Sequence, residues 1–283
     1  MALQWKYVVS NSYTTGPFRD NYALYPAQQY YYNNANIIWA TLTQYGWTLN
    51  AIAGAMGVMD YESGGFNPGI GEMGGWSLPT GSTGNWNEYS HPSGLALAQW
   101  TAPNGYYPNY STVDPNPLLA LANRFNKDWY DGAFQCLAIN HCDDPNYTDF
   151  YAPSKGIVTQ LWGWRQGSHQ DYHIVNSWNA YRSSTLSPEE LAKAYLACVE
   201  GVPGGFESDK SDYIWRQRQA RYWYNTFYGK IPDPDVPVYP DDYPVDPGPG
   251  DHPPGPPGPG GEPAAKRKKY WMLYQRNHKI RKF

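Results

Sequence analysis

Apolar residues recur at helical spacing through most of the first 230 residues, with polar and Gly-rich stretches between the runs. In "NNANIIWATLTQYGW", Ile37, Ile38, Leu42 and Tyr45 fall near one helical face, and Gly46 ends the run. Leu49 to Glu62 predicts a second helix. At about 100° per residue, Leu49, Ile52, Ala53, Met56 and Asp60 form an apolar stripe, with Met59 at its edge. Glu62 falls roughly 120° from the centre of that stripe, beside Ala51, Ala55 and Val58. "NPLLALANRFNKDWYDGAFQCLAI" predicts two short helices separated by Gly132. "SPEELAKAYLACVE" carries a full start signal: Ser187 as N-cap, Pro188 at the first helical position, and Glu189 and Glu190 in the first turn. "DYIWRQRQARYWYNTFY" predicts a last helix. Between these lie polar loops, notably 67–94 and 101–117, and strand signals amount to a small hairpin in the 70–90 region at most. No internal repeat is present. The fold class is mainly α.

The pattern changes at residue 231. Of 26 prolines, 13 lie between Ile231 and Pro263. Proline lacks the N–H and fixes its backbone, so this stretch reads as an extended, semi-rigid spacer reaching up to about 100 Å. Residues 264–283, "AAKRKKYWMLYQRNHKIRKF", hold eight Lys or Arg and no acid, whereas residues 1–230 hold 13 basic and 18 acidic residues. Three parts follow: a body at 1–230, a proline-rich linker at 231–263 and a basic-aromatic tail at 264–283. Tyr270, Trp271, Met272, Leu273 and Tyr274 cluster in the tail, which favours docking onto another protein over a merely solvated end.

Composition narrows the class. The formal net charge of -4 does not predict nucleic-acid binding. Aromatic residues make up 17%, more than a core needs, and suit carbohydrate faces or protein interfaces. The first 18 residues lack the charged and apolar regions of a signal peptide, and no apolar run approaches the ~20 residues of a membrane span. Cys136, Cys142 and Cys198 are an odd count, which argues against a disulfide framework and leaves a Cys136–Cys142 pair open. No Cys/His array has zinc spacing, so no metal and no cofactor are expected.

Candidate chemistry centres on "MDYESGGFNP". Glu62 sits where small apolar residues give way to Gly64 and Gly65. The small-residue side of the helix leaves room for a cleft, with Glu62 at its wall. A carboxyl group there is partly desolvated, which keeps a proton available to protonate the leaving oxygen of a glycosidic bond. In "PSGLALAQWT", Gln99 can hydrogen-bond a sugar amide or hydroxyl, and Trp100 can offer a stacking face. Asp60, on the apolar stripe, reads as structural.

These segments, taken in order, resemble the phage tail lysozyme family. The matching features are Glu62-Ser63, Asn67-Pro68, "GLALAQWT" from Gly94 to Thr101, "SPEELAKAYLACVEGVPG" and "RQRQARYWYNTF". The resemblance runs from about residue 30 to about 228. It departs at Ala96, where the family usually has Gly, and after Glu200, where it usually has Arg. "GWRQGSHQDYHIVNSWNAY" looks like an insertion. The resemblance implies an α+β lysozyme-like domain, peptidoglycan as substrate, and cleavage between N-acetylmuramic acid and N-acetylglucosamine. Glu62 matches the catalytic acid; Ser63, Gln99 and Trp100 match substrate-binding positions. For a second carboxylate, Glu72 is preferred over Glu88, because flanking glycines let backbone approach a ligand. Without one, Glu62 would act as acid and base in a lytic transglycosylase. A third reading is a non-catalytic tail protein that binds wall glycan. The expected setting is the virion, with the tail docked onto other phage structural proteins.

Overall fold

The computed structural model describes residues 3–6, 28–69, 94–100, 116–152, 157–160, 162–164, 175–200 and 211–241. The chain divides into two units, Met1–Val245 and Asp246–Phe283, and every described residue belongs to the first. Most of the linker, from residue 242, and the whole basic tail lie outside the described residues. The elements run α1 (Gln28–Gln44), α2 (Leu49–Glu62), α3 (Pro117–Arg124), α4 (Gly132–Asn140), α5 (Pro145–Thr148), β1 (Asp149–Ala152), β2 (Ile157–Gln160), α6 (Trp178–Arg182), α7 (Pro188–Cys198) and α8 (Ser211–Phe227). The domain is mainly α. Among the described residues, no helix is long and apolar enough to cross a membrane.

The core is built around α2. Thr48 caps it, accepting a hydrogen bond from Ala51 N, and Ala51 through Asp60 are all buried. The expectation of one buried stripe and one cleft-facing side is therefore corrected. Helices α7 and α8 pack along α2, and α1 adds to the enclosure. The small residues are there for close approach. A Cβ added at Gly54 would stand 2.6 Å from Leu191 Cβ on α7, and one at Gly57 would stand 2.8 Å from Ala220 Cβ on α8. The alternation of small and large residues makes a helix that seats neighbours on several sides. Asp60 is fully buried and accepts hydrogen bonds from the Tyr31 hydroxyl of α1 (2.6 Å) and from Trp223 Nε1 of α8 (3.0 Å). Such partners offset the cost of burying a carboxylate, so Asp60 ties three helices together.

Gly132 does not separate α3 from α4. It is the first residue of α4, behind the N-cap Asp131, whose carboxylate takes the N–H groups of Ala133 and Phe134. The Trp5 ring lies against its Cα, which leaves no space for a side chain. The hairpin predicted in the 70–90 region lies outside the described residues. The strands that are described, β1 and β2, pair antiparallel with Asp149 opposite Gln160 and Ala152 opposite Ile157. The segment read as an insertion contributes to the core. Trp178 and Tyr181 are buried and stacked at 5.0 Å, and the Tyr181 hydroxyl donates to Ala51 O on α2 (3.1 Å). Part of the aromatic excess goes to this core, since Trp47, Trp100, Trp164, Trp178 and Trp223 are all buried.

The first eleven residues of the proline-rich stretch, 231–241, lie on the body as a strap. Val236 is buried against Ile37 and Ala40. Tyr239 donates its hydroxyl to Asp131 (2.7 Å) and accepts the Tyr45 hydroxyl at its carbonyl (2.8 Å). Asp241 accepts from Asn140 Nδ2 (2.6 Å) and faces His141 Nε2 (3.2 Å). That His141 ring stacks on Tyr147 at 4.5 Å.

Candidate active site

Helix α2 ends on Glu62. Ser63 follows as C-cap, and its N–H bonds Met59 O (2.8 Å). Gly64, Gly65 and Phe66 then take positive φ values of 58°, 90° and 62°. Two glycines make this left-handed turn cheap; Phe66 is held in it by packing and hydrogen bonds. Its ring is fully buried between Tyr31 and Trp223, and its carbonyl accepts from Asn34 Nδ2 (2.8 Å). The turn fixes the end of α2, so the backbone beneath Glu62 is rigid.

Glu62 keeps 18% of its side chain exposed, two residues beyond a stretch that is wholly buried. Its Oε1 accepts a hydrogen bond from Nη2 of Arg216, a residue of α8 whose side chain is only 8% exposed. The Arg216 guanidinium carbon stands 3.9 Å from the centre of the Tyr61 ring and 5.7 Å from that of Tyr213. Tyr61 in turn meets Trp215 edge-on at 5.5 Å. Tyr61, Tyr213 and Trp215 are all half-buried. A partly exposed carboxylate thus lies against a buried guanidinium, which is itself flanked by aromatic rings that retain some exposure.

Sequence reasoning missed Arg216, although a signal was present. Among the described residues of α8, Arg216, Ala220, Trp223 and Phe227 are buried, spaced four, three and four apart. A charge at a core position of an amphipathic helix demands a buried partner, and here it is Glu62.

The second motif folds as a tight loop. Leu95 and Trp100 exchange both backbone hydrogen bonds (3.2 and 3.0 Å), with Ala96 at φ 65° and Gln99 at φ 44° between them. Gln99 is half-buried, and its Nε2 donates to Ala96 O (3.1 Å). Trp100 is 2% exposed, edge-on to Trp162 at 5.1 Å. Its ring is packed in the core rather than offered as an open stacking face. Ser63 is fully buried too: its hydroxyl donates to Met59 O (2.5 Å) and accepts from Phe66 N (2.9 Å). Glu72 and Glu88 lie outside the described residues.

Gln135 fastens the two motifs together, and the sequence did not flag it. From the buried interior of α4 its Nε2 donates to Pro68 O (2.8 Å) and Trp129 O (2.8 Å), while its Oε1 accepts from Leu97 N (3.2 Å). The segment leaving Glu62 and the loop carrying Gln99 therefore share one anchor. A pocket of about 480 Å³ opens at the α3–α4 connection, walled by Asn123, Asn126, Lys127, Asp128 and Tyr239. It includes neither Glu62 nor Gln99, so the carboxylate site is a separate feature.

Cysteine chemistry is poorly served here. All three cysteines are buried free thiols. Burial pushes the Cys198 thiol up to about 11, and pushes Cys136 and Cys142 up as well. Thiols so placed are poor nucleophiles at neutral pH.

The described helices form a mainly α domain whose buried central helix ends in a partly exposed glutamate. Compared with known protein families, residues 33–227 match the phage tail lysozyme family, and the chain belongs to that family.

Proposed function

We propose that the protein is a virion-borne muramidase, cleaving the β-1,4 bond between N-acetylmuramic acid and N-acetylglucosamine, with Glu62 as general acid. The observation that supports this best is Glu62 itself. It is a carboxyl group at the partly exposed end of an otherwise buried helix, held by Arg216, whose guanidinium lies over Tyr61 and near Tyr213. In the proposed step Glu62 gives its proton to the glycosidic oxygen, and the C1–O bond breaks with its electron pair going to that oxygen. Water supplies the hydroxyl to C1, and its proton is available to restore the acid. Glu72 is the proposed second carboxylate. It would act as nucleophile at a separation of about 5–5.5 Å or activate water at about 6.5–9.5 Å. Gln99, on a loop fastened to the same anchor as the α2 exit, is the proposed sugar-amide contact; Ser63 and Trp100 support the site from the core.

Mass spectrometry of digested cell-wall sacculi tests the reaction. Muramidase action leaves reducing ends on muramic acid. Anhydro-muramic ends would instead make the protein a lytic transglycosylase, in which Glu62 serves as acid and base. The basic tail is proposed to dock the enzyme onto other phage structural proteins. A protein lacking residues 264–283 should still digest walls but fail to enter particles.

A further inference from the structure

We infer that Arg216 is the positioning residue for Glu62 and that its charge sets the upper pH limit of the reaction; this rests on Glu62 being the general acid. The geometry argues for it from both sides of the pair. Arg216 is held by two helices at once: its backbone belongs to α8, and its guanidinium lies on the Tyr61 ring of α2 at 3.9 Å. Helix α8 is itself fixed on α2 by the bond from Trp223 to Asp60 and by the close approach of Ala220 to Gly57. A guanidinium this confined cannot follow a wandering carboxylate, so the carboxylate is confined to it. Glu62 has three side-chain torsions at a helix end, and the Arg216 contact restricts them.

The charge acts on the proton as well as on the geometry. Partial burial disfavours the ionised form of a carboxyl group, and an adjacent guanidinium favours it. Arg216 places such a charge directly against Glu62. A general acid must be protonated to work, so a neighbouring positive charge lowers the pH above which it fails. The same charge stabilises the carboxylate left once the proton has gone to the leaving oxygen.

Other titratable groups come from the elements packed at this end of α2. From α8 comes Tyr213; from α2 come Tyr61 and Asp60, the latter accepting from Tyr31 of α1 and from Trp223. Helix α7 runs along α2 in the same direction, with Leu186 O near Asn50 and Leu191 near Gly54. Just beyond its end, two residues after Cys198, stands the half-buried Glu200. Among these, Arg216 donates directly to Glu62.

The test is a set of pH–rate profiles on sacculi for the full chain and its Arg216→Met, Arg216→Gln, Arg216→Lys and Glu62→Gln variants. Circular dichroism confirms folding of each. Arg216→Met should lose at least about tenfold in rate, and its alkaline limb should move up by about one pH unit or more. Arg216→Gln, which keeps a hydrogen-bond donor, should show the same shift even if Arg216→Met fails to fold. Arg216→Lys should keep the limb near its original place. A lower rate in Arg216→Gln with an unmoved limb would reduce Arg216 to a packing residue and overturn the inference. Absence of activity in the unmodified protein, or full activity in Glu62→Gln, would instead remove the reading on which it rests.

Discussion

Gly57 on α2 and Ala220 on α8 lie in such close contact that a methyl group added at Gly57 would come 2.8 Å from the Ala220 Cβ. The backbone carbonyl of Arg216 faces the same spot. Stability and site geometry therefore meet at one residue without a side chain. Gly57→Ala should destabilise the protein by about 1–3 kcal/mol through overpacking. It should also lower wall-digesting activity in the fraction that remains folded, because α8 carries Arg216. Urea unfolding and activity per folded molecule check the two parts separately.

Ala96 occupies φ 65°, a conformation in which an L side chain is strained and glycine is not. The resemblance pattern has glycine at this position, and the loop keeps the glycine conformation although alanine occupies it. Ala96→Gly should raise stability by about 0.5–1 kcal/mol, the relief of a left-handed alanine less the added entropy of a glycine in the unfolded chain. Thermal melts of the two proteins test this, and an unchanged or lower Tm would contradict it.

The strap makes the proline-rich stretch part of the fold at its start. Truncation after residue 230 removes the Val236 contact with Ile37 and Ala40, the Tyr239 bonds to Asp131 and Tyr45, and the Asp241 bond to Asn140. Truncation after residue 241 keeps them. The shorter protein should melt several degrees lower, consistent with a loss of about 1–3 kcal/mol in buried contacts and hydrogen bonds. Equal melting temperatures for the two truncations would show that the strap adds nothing.

Glu189 and Arg221 join α7 to α8 through two parallel hydrogen bonds of 2.6 and 2.7 Å. Burial pushes the Glu189 carboxyl up, but the hydrogen bonds and charge of Arg221 outweigh it and hold the group below its ordinary 4.5. A carboxyl with a depressed folded value adds stability above its unfolded value and loses it as pH falls through the folded one. The pair is partly exposed, so its worth is about 0.5–1 kcal/mol. Glu189→Gln should be less stable than the parent at pH 7 by about that amount, and the gap should narrow as pH falls below the ordinary 4.5. Melts across pH 3–7 check the sign.

Where the signal was local, the sequence was enough. Helix α7 begins at Pro188 behind Ser187, as its capping residues dictate, and α2 runs from Leu49 to Glu62 as its periodicity predicts. Gly132 misled because a glycine at a helix start looks like a break unless the Asp131 cap is read with it. The cleft-facing side assigned to α2 failed for a non-local reason. Ala51, Gly54, Ala55 and Gly57 can line an opening or admit another helix, and only the approach of α7 and α8 decides between them. Glu62 was legible as a half-exposed carboxyl at a helix end. Its partner was not, because 154 residues separate it from Arg216. Gln135 stayed hidden for the same reason: its bonds to Pro68 and Leu97 span 67 and 38 residues.

The central claim is that Glu62 supplies the catalytic proton. It is tested most directly by the rate at which the protein and its Glu62→Gln variant solubilise purified sacculi, with folding of both verified. Arg216 can still donate to a glutamine, which preserves the contact while removing the titratable proton. The account predicts clearance by the parent and a loss of about a hundredfold or more in the variant. Equal rates, or no clearance by the parent, would contradict it.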